Sequence, residues 1–163
     1  MTPPDGVEVV DVPPSKRGEL ERILEESFDG WYLRHSKRIL REVETVRAAV
    51  SAGVPVGLIM LKTLEKGVGY IFYVAVARAN RKTGVAAMLL RDALNRFRAE
   101  GVSEVFASVE GDNQPSERLF ASGGFARTKL AEVSGRHGLL NALNMYRMMV
   151  VVPGEILLRR TLD

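Results

Sequence analysis

The chain has no cysteine and only two histidines, His35 and His137, among its 163 residues. Without cysteine, disulfide scaffolds, thiolate metal sites and cysteine nucleophiles are excluded. Two histidines are too few for a histidine-rich zinc site, so we expect no bound metal. His35 stands among Arg34, Lys37 and Arg38 and is expected on a solvated helix face. His137 lies in a glycine-flanked connection and is expected at the surface.

Long apolar runs are also missing, since none approaches the ~18 residues that span a bilayer. The N-terminal segment MTPPDGVEVVDVPP has no basic region followed by an apolar stretch. We therefore expect no secretory signal, no membrane partner and a cytoplasmic location. The length corresponds to one ordinary domain, and 46% hydrophobic with 26% charged residues is normal for a globular protein.

Positive charge is concentrated in one part of the chain. The net charge is +3, yet residues 78–98 hold six basic residues and one acidic residue, a local charge of +5. A basic chain can bind nucleic acid, but such proteins spread charge along a face and interleave aromatic side chains with it. A compact cluster suits a small anion better. We therefore expect no nucleic-acid partner.

Hydrophobic periodicity and turn residues predict an alternation of strands and helices. Helices are predicted after Ser15 up to Asp29-Gly30, then at Trp31–Glu44, Val85–Glu100 and Pro115–Ser122. Strands are predicted at Val7–Val12, Thr45–Val50, Val54–Lys62, Gly69–Ala77, Val105–Val109, Ala126–Val133 and Asn144–Val152. This order predicts a single α/β domain, 1–152, with a mixed, mostly antiparallel central sheet and helices on both faces.

A short apolar tail, 153–163, follows Pro153-Gly154. Its residues Ile156, Leu157 and Leu158 are predicted either to cover an edge of the sheet or to enter a partner subunit, which would make the protein a homodimer.

The most informative segment is a polar loop between the strand Gly69–Ala77 and the helix that begins at Val85. Its pattern is Arg81-x-x-Gly84-x-Ala86. The first N–H groups of a helix lack internal partners and lie at the positive end of the helix dipole. Glycine lets the backbone approach a bulky phosphate, and nearby cations add charge. The loop therefore predicts either an anion site or an ordinary strand-to-helix connection.

Two sequence blocks resemble the GNAT acetyltransferase superfamily. The first is the loop with the preceding Val74-Ala75-Val76, which is similar to the family's acetyl-CoA-binding motif Arg/Gln-x-x-Gly-x-Gly/Ala. The second is Asn113-x-x-Ser116-x-x-Leu119-Phe120 followed by Gly123-Gly124-Phe125, which resembles the family segment Asn-x-x-Ala-x-x-Leu-Tyr…Gly-Phe. The blocks occur in the family's order, and the element order fits residues 7–152.

The resemblance implies acetyl-CoA as cosubstrate and a definite set of binding residues. Backbone groups of the fourth strand would pair with the pantetheine arm, loop amides would hold the pyrophosphate, and the second block would contact the cofactor from the other side. The implied cofactor-binding residues are Val74, Ala75, Val76, Arg81, Lys82, Thr83, Gly84, Val85, Ala86, Asn113, Ser116 and Phe120. The fourth-strand N–H groups would also stabilise the oxyanion.

The family's proton-transfer positions are altered in this chain. Tyr70 and Ser108 stand where relatives place a glutamate, and Phe120 replaces the tyrosine that acts as general acid. Either the roles have moved, to Glu110 as base and Tyr70, Tyr73 or Tyr146 as donor, or water carries the protons, or the protein binds CoA without efficient catalysis. Glu110 and Tyr70 are our predicted catalytic residues.

The resemblance implies direct acetyl transfer to a primary amine of a small molecule or peptide. The alternative is a CoA-binding regulatory module with little or no catalytic activity. Trp31 and Tyr32 are expected either to line the acceptor entrance or to form core or dimer contacts. The sequence has no acidic cluster that would announce a particular acceptor.

Overall fold

The computed structural model describes residues 4–65 and 67–163. This part of the chain contains seven β-strands and six α-helices, with two 3-10 helices at Pro14–Leu20 and Arg78–Asn80. The strands are β1 (Val7–Asp11), β2 (Thr45–Ser51), β3 (Val54–Glu65), β4 (Val68–Val76), β5 (Glu104–Glu110), β6 (Ala126–Thr128) and β7 (Glu155–Thr161). The α-helices are α1 (Glu21–Ser27), α2 (Gly30–Glu42), α3 (Val85–Ala99), α4 (Gln114–Ser122), α5 (Leu130–His137) and α6 (Leu139–Met149).

The strands form one mixed sheet in the order β1-β2-β3-β4-β5-β7-β6. The β1–β2, β2–β3, β5–β7 and β6–β7 pairs are antiparallel, whereas β4 and β5 run parallel. The predicted fold class, an α/β fold on a mostly antiparallel sheet, is therefore confirmed. Among the described residues, no helix is both long enough and apolar enough to cross a membrane.

The chain divides into two compact units. Unit 1 contains Met1–Lys62 and Phe72–Arg96, and unit 2 contains Thr63–Ile71 and Phe97–Asp163.

Unit 1 packs helices against both faces of the β2–β3 hairpin. A Cβ atom on Gly57 would lie 2.9 Å from Val85 and 3.1 Å from Leu89, so α3 approaches the backbone of β3 closely on that face. The next residue, Leu58, points to the opposite face, because side chains alternate along a strand. There it belongs to the buried core that α1 and α2 contribute to. Glycine at position 57 is thus what allows α3 to pack so closely.

A buried arginine closes the C-terminal end of α2. Arg17 is only 4% exposed, and its guanidinium donates to the carbonyl oxygens of Leu40 at 3.1 Å and Val43 at 2.5 Å. The last carbonyls of a helix have no internal partners, and the helix dipole is negative there. Arg17 therefore satisfies carbonyl groups that would otherwise be buried without a donor.

Unit 2 is built on the long pairing of β5 with β7. The two strands are in register from Glu104 opposite Thr161 to Glu110 opposite Glu155. On its other side β5 pairs in parallel with β4 from Val68–Ile71. Gly69 of β4 leaves room for the ring of Phe97, which would lie 2.6 Å from a Cβ atom placed there. A side chain at position 69 would displace this buried ring.

The predicted strands at Ala126–Val133 and Asn144–Val152 are wrong for most of their length. Only Ala126–Thr128 is a strand, and two helices, α5 and α6, occupy most of the rest. In α6 the buried residues are Ala142, Met145 and Met149, which recur at helical spacing. The apolar residues of this segment are therefore spaced as in a helix with one buried face, and not as in a strand.

The apolar tail 153–163 contains the last strand of the sheet. Residues Glu155–Thr161 form β7, which lies between β5 and β6. Leu157 and Leu158 are buried there. Ile156 is half-buried and pairs with Val109 of β5.

A buried carboxylate ties the end of the sheet in unit 2 to α5. Glu104 is 7% exposed and accepts hydrogen bonds from Arg159 and, at 2.9 Å, from Nε2 of His137. Burial by itself raises the pKa of Glu104, but the hydrogen bonds from Arg159 and His137 outweigh it and hold the pKa below its ordinary value. His137 also lies 3.3 Å from Glu65, so it is half-buried between two carboxylates rather than exposed.

We predict that Glu104→Gln lowers the free energy of unfolding at pH 7 by about 3 kcal/mol, because it leaves Arg159 without its carboxylate. The folded-state pKa of Glu104 is depressed, so its stabilisation is present above the unfolded-state pKa and is lost as pH falls through the folded-state value. The variant should therefore lose less stability than the wild type between pH 6 and pH 3 in urea unfolding. Glu8→Gln, at an exposed position of β1, is the matched control. Equal pH dependence in all three proteins would contradict this account.

Candidate active site

The loop between β4 and α3 has an unusual backbone. Lys82 has φ +62° and Gly84 has φ +92°, so two residues of this short loop lie in the left-handed region. A side chain at the glycine position would be strained, because L-residues rarely adopt this conformation. The hydroxyl of Thr83 donates to the carbonyl oxygen of Asn80 at 2.5 Å and ties the loop to the 3-10 turn before it.

The loop ends in four consecutive N–H groups, those of Gly84 to Ala87, at the start of α3. In the described part of the chain, no carbonyl or side chain accepts a hydrogen bond from any of them, whereas Met88 N–H donates to Gly84. These are the unpaired donors that every helix start presents, at the positive end of a fifteen-residue helix. Exposed Lys82 adds a full positive charge beside them.

The guanidinium of Arg81 holds the loop against its neighbours in unit 1. Its Nε donates to the carbonyl oxygen of Val76 at 3.2 Å, and Nη2 donates to that of Glu26 at 2.8 Å. The carboxylate of Glu26 in turn accepts from the backbone N–H of Arg78 at 2.5 Å. Arg81 thus has a structural contact set that the sequence did not predict, in addition to the charge that it contributes near the loop.

This donor set fits a diphosphate. Phosphate oxygens accept hydrogen bonds from backbone N–H groups at helix starts, and glycine lets the ligand approach them. The site also needs positive charge, which Arg81 and Lys82 supply. The residues present therefore suit the pyrophosphate of acetyl-CoA.

The second block forms the start of α4 in unit 2. Asn113 is the N-cap residue, and its Oδ1 accepts from the backbone N–H of Ser116 at 3.2 Å. Ser116 is half-buried. Phe120 is 5% exposed and packs edge-to-face against Phe125 at a ring distance of 5.1 Å. Asn113 and Phe120 therefore each have a structural role here, and their contact with a cofactor stays a prediction.

The two residues that the resemblance places at the family's glutamate positions are within hydrogen-bond distance of each other. The hydroxyl of Tyr70 on β4 lies 2.6 Å from the hydroxyl of Ser108 on β5. Tyr70 is 1% exposed, and burial raises the pKa of its phenol well above the ordinary value. A proton on Tyr70 is therefore strongly held, and its role as a catalytic residue stays a prediction.

Glu110, the predicted base, is the last residue of β5 and lies directly opposite Glu155 of β7 in the antiparallel register. Both are half-buried. Carboxylates at paired positions of neighbouring strands have their Cβ atoms about 5 Å apart, close enough to share one cation. The sequence did not point to Glu155, because only the strand pairing places it beside Glu110.

An aromatic cluster in unit 1 surrounds the hydroxyl of Tyr73. This hydroxyl lies 2.7 Å from Nδ1 of His35 on α2. The ring of Trp31 stacks on His35 at 4.7 Å and 13°, and Phe28 meets the Tyr73 ring edge-to-face at 5.1 Å. His35 is thus half-buried and hydrogen-bonded, so its expected place on a solvated helix face is wrong.

The comparisons with known proteins agree with this fold. The acetyltransferase (GNAT) family's sequence profile matches residues 13–125. The chain therefore belongs to the acetyltransferase (GNAT) family of acyltransferases, whose acetyl donor is acetyl-CoA.

Solved structures share the fold over nearly the whole chain. Ard1 from Thermoplasma volcanium is 19% identical with a TM-score of 0.73, covering 97% of this chain and 99% of its own. The ribosomal-protein-S18-alanine N-acetyltransferase from Escherichia coli is 12% identical with a TM-score of 0.72, covering 96% and 94%. The PaiA N-acetyltransferase from Thermoplasma acidophilum, in complex with coenzyme A, is 12% identical with a TM-score of 0.72, covering 96% and 99%. No curated protein sequence matches the chain significantly.

We predict that His35 titrates below its ordinary pKa of 6.5, because burial and then the charge of Arg38 both disfavour the imidazolium. Arg38→Gln should raise the pKa of His35 partway toward the ordinary value, since burial remains. NMR titration of the His35 ring in the wild type and in Arg38→Gln measures this. A His35 pKa above 6.5 in the wild type would contradict the buried setting.

Proposed function

We propose that the protein transfers the acetyl group of acetyl-CoA directly to a primary amine of a small molecule or peptide. The observation that carries this proposal is the start of α3, where the N–H groups of Gly84 to Ala87 have no acceptor among the described residues. Family membership supplies the donor, and the loop supplies a place for its diphosphate.

In this proposal, β4 binds the rest of the donor. The parallel register of β4 with β5 is formed by Val68–Ile71, and Val74–Val76 come after it along the strand. Backbone groups of Val74 and Val76 then pair with the amides of the pantetheine arm as an added strand would. Backbone N–H groups of the same strand stabilise the negative charge that develops on the thioester oxygen.

The acceptor is proposed to be an amine that arrives as an ammonium ion. A lysine-like amine has a pKa of about 10.4, so it is mostly protonated at neutral pH and must lose a proton before attack. Glu110 and Glu155, opposite each other in unit 2, are a pair of carboxylates that can hold such a cation. We keep Glu110 as the proposed base, with Glu155 as its partner in binding.

A specific observation supports the alternative, a CoA-binding regulatory module. The family's proton-transfer positions hold Tyr70, Ser108 and Phe120, and none of these is a carboxylate or an accessible phenol. Tight binding of acetyl-CoA without release of CoA in the presence of any amine would favour this alternative. A cytoplasmic location remains a prediction of the sequence.

We predict that Gly84→Ala weakens acetyl-CoA binding at least tenfold in calorimetry. The methyl group is strained at φ +92° and stands where the diphosphate must approach. Gly53→Ala is the matched control, because Gly53 has φ +78° in the β2–β3 hairpin with no atom within 4 Å of the added methyl. Both variants incur a similar backbone strain, and only the first should lose affinity. Equal affinities in the two variants, or no binding by the wild type, would refute the site.

Turnover is tested by following thiol release from acetyl-CoA over a panel of primary amines. The panel contains polyamines, amino acids and peptides with free α-amino or lysine groups. We expect at least one class to stimulate release well above hydrolysis, with Glu110→Gln reducing the rate about 100-fold at neutral pH. No stimulation by any amine would leave the regulatory module as the function.

A further inference from the structure

The leaving thiolate of CoA needs a proton, and the family position for its donor holds Phe120, which has none to give. We propose that Tyr73 donates this proton and that His35 is the positioning residue that orients its hydroxyl. This inference rests on the proposed acetyl transfer and adds the proton donor to it.

Tyr73 lies on β4, next to the segment proposed to hold the donor. It immediately precedes Val74, the first residue of the segment proposed to pair with the pantetheine arm. The thioester lies at the end of that arm, so a side chain at position 73 is next to the reacting end of the donor. No other tyrosine is a direct neighbour of Val74–Val76 in the sequence.

Aromatic contacts hold the Tyr73 side chain in one orientation. Phe28 meets its ring at 65°, and the ring of His35 lies 5.8 Å away at 64°. Its hydroxyl oxygen lies 2.7 Å from Nδ1 of His35, within hydrogen-bond distance. His35 is fixed in turn by the stacked ring of Trp31. A donor whose direction is fixed in advance loses little entropy when the reaction needs it.

The protonation state of His35 decides which atom donates in its contact with Tyr73. Burial and the charge of Arg38 keep its pKa below the ordinary value, so the imidazole is neutral at pH 7. When the hydrogen is on Nδ1, His35 donates to Oη of Tyr73 and the phenolic O–H is directed to a different acceptor. The same N–H then stabilises the phenolate once the proton has left.

Other charged groups near His35 do not change this assignment. On its own helix, Arg38 is the cation that acts on His35 and Lys37 pairs with Glu25 of α1 at 3.1 Å. The groups that contact His35 from β4 and from the start of α2 are the phenol of Tyr73 and the ring of Trp31. The described contacts of the imidazole are therefore uncharged.

The phenols of Tyr70 and Tyr146 lie where burial opposes the loss of a proton. Burial raises the pKa of both phenols, and Tyr70 is almost completely enclosed. The hydroxyl of Tyr70 is also within hydrogen-bond distance of Ser108. Each would release its proton less readily than an average phenol.

The proposed step moves the acetyl group from the sulfur of CoA to the nitrogen of the acceptor. The amine nitrogen forms a bond to the acetyl carbon, and the bond between that carbon and sulfur breaks. The electron pair left on sulfur takes the proton of Tyr73. The ammonium form of the acceptor loses one proton to Glu110 or to water before the attack, and the nitrogen loses a second proton to solvent once the amide bond has formed. The phenolate of Tyr73 regains a proton through solvent. The products are the N-acetylated amine and CoA with a free thiol.

The kinetic test replaces each of the four tyrosines by phenylalanine in turn. Tyr73→Phe should lower kcat about 100-fold, the usual contribution of one general acid, with KM for the amine changed less than threefold. Tyr32→Phe and Tyr146→Phe should each lower kcat less than fivefold, and Tyr70→Phe should lower kcat less than Tyr73→Phe does. His35→Ala should lower kcat about tenfold, and His35→Asn should restore part of it, because the asparagine amide can place an N–H near the position of Nδ1.

The second readout does not depend on an acceptor or on turnover. Calorimetry compares CoA with desulfo-CoA, in which hydrogen replaces the thiol, at pH 9 where part of the thiol is ionised. A phenol beside the sulfur should make the wild type bind CoA at least fivefold more tightly than desulfo-CoA. Tyr73→Phe should remove this preference while binding desulfo-CoA as the wild type does.

The outcomes separate this inference from the proposed function. If the wild type turns over and Tyr73→Phe retains its kcat, Tyr73 is not the donor. The same holds if that variant still prefers CoA over desulfo-CoA. In both cases the proposed acetyl transfer remains supported. A large loss in Tyr70→Phe or Tyr146→Phe instead would assign the donor to that residue. If neither CoA nor acetyl-CoA binds the wild type, the proposed function and the inference both fail.

Discussion

The contact set of Arg81 is the interaction on which the conformation of the loop between β4 and α3 depends. Its guanidinium joins the carbonyl oxygen of Val76, at the end of β4, to that of Glu26, near the end of α1. The loop between β4 and α3 can therefore keep left-handed backbone at Lys82 and Gly84 without folding back onto its own N–H groups. A helix start stays available for an anion only if the chain before it is held by other bonds.

Local pattern was enough to predict most of the fold. The β2–β3 hairpin, β4, α3 and α4 were predicted from strong periodicity and from glycine or proline at their ends. The segment after β6 was not, because leucine and methionine alternate with polar residues in ways that suit either period over a few positions. Only the buried set Ala142, Met145 and Met149 reveals the helical period. The final strand was missed because its pairing partner, β5, is about 45 residues earlier.

In the candidate site, too, features formed by sequence neighbours were predictable, and contacts between residues far apart in the sequence were not. The donors, the glycine and the cations of the loop before α3 were predictable because they are neighbours in sequence. The contact between His35 and Tyr73 joins residues 38 positions apart, and Glu110 meets Glu155 through strand register. Because its neighbours in the sequence are basic, His35 was predicted to lie on an exposed helix face. Its burial depends on the rings of Trp31 and Tyr73, and no one-dimensional pattern specifies these contacts.

The stacking of Trp31 on His35 gives the protein an optical reporter of its own. Trp31 is the one tryptophan in the sequence, so all indole emission comes from a ring 4.7 Å from this imidazole. A protonated imidazole quenches indole fluorescence by accepting an electron from the excited ring, and a neutral one does so far less. Because the indole is 42% exposed, its emission wavelength also responds to anything that covers it. The fluorescence intensity therefore reports the charge of His35, and the emission wavelength reports whether Trp31 is covered. Neither measurement needs an attached dye.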